Sequence, residues 1–371
     1  MFLAARKWWS NQTKLKPEKD AFFILDYFLV VSGIQLRSRN NYLRAAWNVY
    51  RMLIVMQVIL IARKIWSIFQ TEDNFQLISN SLHMCVGFSI IFTRIFFIVR
   101  SFKQVNGVRW FVNQRKFRAD DPAAFAIRQR TYANTINITI AMILNCFVQT
   151  VIVLFTDLAN SESLQLPFYL TGVSSLENNL LEKIHSGMFS VYVYFASTNF
   201  LAVFLPLSTL KAEMEVVGDA FDKIMDHVDV RMAALELNEI DEIREEQFWK
   251  ILQEELTQCF IAHTAVLDKV KDLKKLTDPT FLMLYYMTML FIAVGVMAVL
   301  FSPQFDSFNT LSLEYSFRYT LECYSFCYVV SRFNEEVGKN VRIYPGLISL
   351  FNSNSTTALS TSCPTSIGEL I

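Results

Sequence analysis

The sequence predicts an all-α, polytopic transmembrane helix bundle of about six spans with a cytoplasmic N-terminus. Two observations carry that expectation. Residues 74–93, 131–156, 186–210 and 279–305 form apolar stretches of 20, 26, 25 and 27 residues without a single Asp, Glu, Lys or Arg. Each meets the ~20 residues that a helix needs to cross a bilayer. Basic residues, in turn, gather on alternate sides of these stretches. The composition agrees: 53% of the 371 residues are hydrophobic, 33 are Phe and 18% are charged, against roughly 25% charged in soluble domains.

Residues 1–45 carry eight Lys and Arg up to Arg44 and contain the apolar run 22–34, broken by Asp26. That run is too short to cross, so a re-entrant or interfacial segment is expected. The first span, 47–69, contains Arg51, Arg63 and Lys64 toward its ends, where long stems can carry charge to the interface. Residues 71–76 carry no basic residue, 100–130 carry eight, and 157–185 carry only Lys183 among four acids. Cationic loops resist translocation, which places the N-terminus and the 100–130 loop in the cytoplasm. The segments 71–76, 157–185 and 306–313 then face outward.

Spans one to four occupy 46–210, and residues 211–278 are read as a cytoplasmic helical stalk. Its 17 acids exceed its nine bases, but loops beyond ~60 residues escape the charge rule, and only charges near the spans count. Lys269, Lys271, Lys274 and Lys275 lie just before span five. Leu210, Met214, Val217, Phe221, Ile224 and Val228 continue span four at helical spacing. Trp249, Leu252, Leu256, Cys259, His263, Val266, Val270 and Leu273 repeat as three, four, three, four, the seam of a helix packed on a helix. A hairpin within one subunit and a stalk that also meets neighbouring subunits both fit.

Spans five and six occupy 279–332. The sixth is amphipathic: Glu314, Arg318 and Glu322 align at four-residue intervals among Tyr315, Phe317, Tyr319, Tyr324, Phe326 and Tyr328. Intramembrane charges mark a water-filled cavity or a buried ion pair, whereas a local ladder would satisfy Arg318 through both acids one turn away. Residues 333–371 are read as a polar, disordered tail, since 349–366 contain ten Ser or Thr and too little apolar surface to order themselves.

Catalytic patterns are missing from the sequence. There is no Gly-rich phosphate loop, no His-Glu-x-x-His and no Gly-x-Ser-x-Gly. His83, His185, His227 and His263 are scattered, and Cys323 and Cys327 have no companion His or carboxylate to complete a metal site. No enzyme activity, metal or cofactor is expected. With zero formal net charge and no basic cluster with interleaved aromatics, nucleic acid is set aside. The candidate binding chemistry is apolar. In the outward halves of spans two, three, four and six, His83, Met84 and Phe88, then Phe147, Thr150 and Phe155, then Met188, Tyr192 and Phe195, then Tyr315 and Tyr319 fall at similar depth. Aromatic faces, Met and a few hydroxyls suit a pocket for a small volatile molecule.

Several stretches taken in order resemble one family. Leu-Asp-Tyr-Phe-Leu-Val-Val-Ser-Gly at 25–33 is similar to a short apolar entry ending in Gly, and Arg-Lys-Phe-Arg-Ala-Asp-Asp-Pro at 115–122 occupies the place of a second intracellular loop. His263, the Val266 and Leu267 that follow and the run to Leu276 resemble a His-x-x-Leu-Leu pattern before a fifth helix. Cys323 to Val330 with Glu335, Glu336 and Val337 resembles the end of a sixth. The family is that of the insect odorant receptors. The resemblance implies an odorant-gated nonselective cation channel in the plasma membrane of a sensory dendrite. It also implies assembly as a tetramer with a shared coreceptor, a ligand in the outward half of the bundle and a seventh helix lining the pore. The pattern departs after Tyr344, where Pro-Gly and the polar tail replace any apolar stretch for that helix. A secondary transporter is the alternative, and should show repeated halves and Gly/Pro-broken spans. A G-protein-coupled receptor would place its N-terminus outside, against the charge pattern.

Overall fold

The computed structural model describes residues 13–15, 20–71, 75–155, 166–167, 174–234, 241–300 and 307–354. These form ten helices and no strand among the described residues: α1 Phe23–Val31, α2 Asn41–Thr71, α3 Phe75–Arg100, α4 Phe102–Gln114, α5 Pro122–Phe155, α6 Ser175–Gly187, α7 Phe189–Asp222, α8 Ile224–Ala233, α9 Asp241–Leu300 and α10 Ser307–Asn354. Among them α2, α3, α5, α7 and α9 are long and apolar enough to cross a membrane. The charges at 314, 318 and 322 keep α10 below that apolarity. The chain is an all-α bundle of a multi-pass membrane protein.

The short apolar run before span one forms α1, stopped by Ser32 and by Gly33 at φ +66, a conformation that favours glycine. Its freed carbonyls must be matched away from water. Trp47 Nε1 donates to the Val30 carbonyl at 3.1 Å and the Tyr50 hydroxyl donates to that of Val31. The Thr198 hydroxyl of α7 lies against the Ser32 hydroxyl and the Phe28 carbonyl. Leu25, Phe28 and Leu29 are buried. At the other end of the segment, Arg109 of α4 grips Asp20 and Asp26.

At the centre stands α7, buried along nearly its whole length and packed against α1, α3, α4, α5, α6, α8, α9 and α10. It accommodates Pro206, whose missing N–H leaves a carbonyl unbonded. On the following turn the Thr209 hydroxyl bonds the Leu205 carbonyl at 2.9 Å.

The stalk and span five are one continuous helix, α9, of 60 residues with Pro279 inside it. The Thr280 hydroxyl bonds the Leu276 carbonyl at 2.6 Å beside that proline. The expected seam is present: Leu252, Leu256 and Cys259 join Val217, Ala220, Phe221, Ile224, Val228 and Ile251 in a core of their own, and Val266 and Leu273 are buried in the main one. The packing recorded here is a hairpin within the chain, formed by the end of α7, by α8 and by the first half of α9. Burial lowers the pKa of His263 from its usual 6.5. A histidine held neutral in the fold stabilises fully above the unfolded pKa, and this contribution is lost as pH falls through the lower folded value. Thermal stability of the purified protein should therefore drop between pH 7 and pH 5, and less so in His263→Gln. An equal drop in both proteins would show that His263 is not the source.

The basic loop after α4 ties the bundle to this stalk. Arg128 forks onto Glu213, Nε to Oε1 at 2.8 Å and Nη2 to Oε2 at 2.7 Å, and Nη2 also donates to the Phe117 carbonyl at 2.8 Å. Arg118 pairs with Glu255, which also accepts from Arg231 at 3.0 Å. Arg115 and Arg118 take φ of 46° and 50°, left-handed conformations that are uncommon for residues other than glycine.

One expected boundary is corrected, and one of the open alternatives is decided. The tail expected to begin at 333 is helical as far as Asn354, because α10 continues without a break past Arg332; residues 355–371 lie outside the described residues. The local ladder at Arg318 is not formed either, as described next.

Candidate functional site

The residues expected to line a pocket fall into two packed groups. In the first, Met84 and Phe88 of α3 join Tyr192 and Phe195 of α7, with Phe92, Phe189 and the Ile54, Ile61 and Ile65 face of α2. Tyr192 is the hub. Its ring stands edge-on to Phe88 at 4.8 Å, Phe195 at 5.5 Å and Phe189 at 6.1 Å, the arrangement that aromatic quadrupoles favour. It is 3% exposed, and its hydroxyl has no hydrogen-bond partner among the described residues. A buried hydroxyl without a partner costs about 1–3 kcal/mol, so this position is primed for one.

The second group lies between α3, α9 and α10. His83 packs on Phe291 at 4.0 Å, and Phe291 meets Tyr319 at 5.3 Å and Tyr315 at 6.5 Å, both near edge-on. Two glycines let the helices approach. A Cβ on Gly87 would stand 3.1 Å from the Phe291 ring, and one on Gly295 would stand 3.0 Å from His83 Cε1. Small residues at such crossings are the usual means of close packing in membranes.

Met84, Ile152, Phe189 and Leu311, all half-buried, pack against one further apolar cluster. It brings α3, α5, α7 and α10 together at the bundle end opposite the basic loop. Met188 sits half-buried at the junction of α6 and α7. Thr150 is half-buried, with its hydroxyl on the Cys146 carbonyl at 2.8 Å. Phe147 is not brought in: it is 62% exposed, because Cys146 and Gln149 occupy the inward face of α5. The side chain of Phe155 lies outside the described residues. Phe189, Phe92, Ile152, Phe291 and Leu311 were missed from sequence. Phe189 and Phe92 could have been found three or four residues from Tyr192 and Phe88, and Phe291 lies on span five, which had been left out of the lining.

Along α10, interleaved with its aromatic residues, runs a line of buried and part-buried polar contacts. Glu314 accepts from Asn145 at 2.8 Å and from Gln149. Arg318 donates to Gln149 Oε1 at 3.2 Å and Ser197 Oγ at 2.7 Å. Glu322 pairs with Arg94 of α3, a residue 1% exposed. Of the two sequence-based alternatives the buried ion pair is realised. The acids turn to neighbouring helices, and Arg318 is held by neutral acceptors. A paired guanidinium and carboxylate are tolerated where either charge alone would be costly.

The olfactory receptor OR5 of the insect Machilis hrabei matches with a TM-score of 0.64 over 86% of this chain and 82% of that one, at 10% sequence identity. The chain has the insect olfactory receptor fold. The same receptor in complex with eugenol matches with a TM-score of 0.63, over 90% of this chain and 82% of that one, at 9% identity. No protein-family profile and no curated protein sequence matches. The likeness is one of backbone arrangement.

Proposed function

We propose that the chain is an odorant receptor subunit of a ligand-gated, nonselective cation channel that works with a shared coreceptor in the plasma membrane. Small volatile molecules would bind where α3, α5, α7 and α10 converge, the end that the charge rule assigns outward. One observation supports this most directly: in an olfactory receptor fold, Tyr192 holds an unmatched hydroxyl inside an aromatic cage beside Met84. Met84, Phe88, Tyr192 and Phe195 form one wall, and His83, Tyr315 and Tyr319, with Phe291, form the other. The side chains gathered around Tyr192 are aromatic and aliphatic. Its ligand is therefore neutral and largely apolar, with one hydrogen-bonding group for the Tyr192 hydroxyl.

Co-expression with an insect coreceptor and application of a panel of small volatiles, eugenol included, should evoke cation current. In Tyr192→Phe the half-maximal concentration for a responding hydroxyl or carbonyl compound should rise by roughly five- to ten-fold, the worth of one hydrogen bond. Surface expression should stay unchanged, since the cage keeps its shape. Responses identical in both proteins would remove Tyr192 from the site, and silence to every volatile would count against the receptor reading. Substrate-dependent uptake into vesicles without any coreceptor would favour a transporter.

A further inference from the structure

We propose that α10 is a two-register switch, whose three charges exchange interhelical partners for partners on their own helix when the site above it is filled. The idea rests on the receptor reading and adds how occupancy would be transmitted. Glu314, Arg318 and Glu322 stand one turn apart, so that Arg318 could reach either acid along the helix. It reaches neither. Its protons go to the neutral Gln149 and Ser197, although charged acceptors bind guanidinium about twice as strongly as neutral ones.

The observed register also leaves matched groups waiting. Arg94 Nε and Nη1, Arg318 Nε and Glu322 Oε2 are buried without a hydrogen-bond partner among the described residues. Three donors and one acceptor of opposite charge thus lie unused on one seam. A small rotation of α10 would withdraw Arg318 from Gln149 and Ser197 and Glu322 from Arg94, freeing both side chains to swing along the helix until Arg318 Nε meets Glu322 Oε2. The second register strands the buried Arg94, a cost that the ligand's preference for that register must offset. Ser197 is free to lose Arg318, because it keeps contacts with Cys146 at 3.0 Å and the Val193 carbonyl at 3.2 Å.

The drive comes from the aromatics set between the charges. Tyr315 and Tyr319 follow Glu314 and Arg318 by one residue and pack on Phe291. A molecule entering beside His83 and Phe291 must displace these rings, and through them the helix that carries the charges. It shifts the equilibrium only by its preference for one register.

Current per surface-labelled receptor, with and without the volatile panel, tests this in the full chain co-expressed with coreceptor. Arg94→Gln removes the interhelical partner of Glu322 and should raise ligand-free current about three-fold or more. Arg318→Gln removes the cation that the second register needs and should lower both ligand-free and ligand-evoked current. If Arg94→Gln does not reach the surface, Ser197→Ala, which weakens the same register at Arg318, replaces it. Opposite movement of the two variants supports the switch. Movement in the same direction, or unchanged current per receptor with only surface amount reduced, overturns it and leaves a static ion pair. A responsive wild type with such variants overturns the switch alone, whereas a chain silent in every condition overturns it together with the receptor reading.

Discussion

Replacing Arg128 by alanine should destabilise the protein by about 3–5 kcal/mol, the cost of stranding the carboxylate of a buried pair. Glu213 would lose both arms of its fork, and the Phe117 carbonyl would lose its donor at the same time. That carbonyl belongs to the turn containing Arg115 and Arg118, whose left-handed backbone persists only while its surroundings hold it. The damage should therefore spread from the pair to the loop and to the Arg118–Glu255 contact with the stalk. Thermal unfolding of purified protein in detergent measures it. Arg128→Lys should recover only part of the loss, since an ammonium lacks the planar fork. The double variant Arg128→Met with Glu213→Met should be less damaged than Arg128→Ala alone, because no unpaired charge remains. If the double variant is the worse of the two, the loss arises from packing rather than from the stranded charge.

The second large effect is expected in the stalk. Phe221 is buried in the core shared by α7, α8 and α9, and its ring meets Phe260 at 5.6 Å. Phe221→Ala should cost about 3–5 kcal/mol, through lost burial and the cavity left behind. The site lies in the small satellite core, so the unfolding of α8 and the first half of α9 should separate from that of the rest. Hydrogen exchange would read this directly, with faster exchange over 224–270 and little change in α3. Uniform acceleration throughout the chain would show that stalk and bundle unfold as one unit.

The stalk was the more legible half of the molecule. Where one helix face is polar, apolar residues mark the other, so the three-four repeat through Leu252, Leu256 and Cys259 located a real seam. Inside the spans that contrast vanishes, because lipid is as apolar as a helix interface. Phe147 was placed in the pocket for that reason, although it points away from the bundle. Tyr192 and Phe88, expected at similar depth on neighbouring spans, do meet ring to ring. Charge partners were the least legible. The sequence offers Arg318 the acids one turn away, yet Glu322 turns to a residue 228 positions earlier. Likewise the end expected at Arg332 failed, since polar composition alone does not stop a helix that has no breaker there.

The uninterrupted length of α9 has a mechanical consequence. Sixty residues make a rod of about 90 Å, and it carries Glu255 near one end and Phe291 near the other. A tilt of about 3° around its middle would sweep each end through about 2 Å, by the 1.5 Å rise per residue. A pull on the stalk would be passed along this lever toward the aromatic rings, with Pro279 on the way as a point where it can bend.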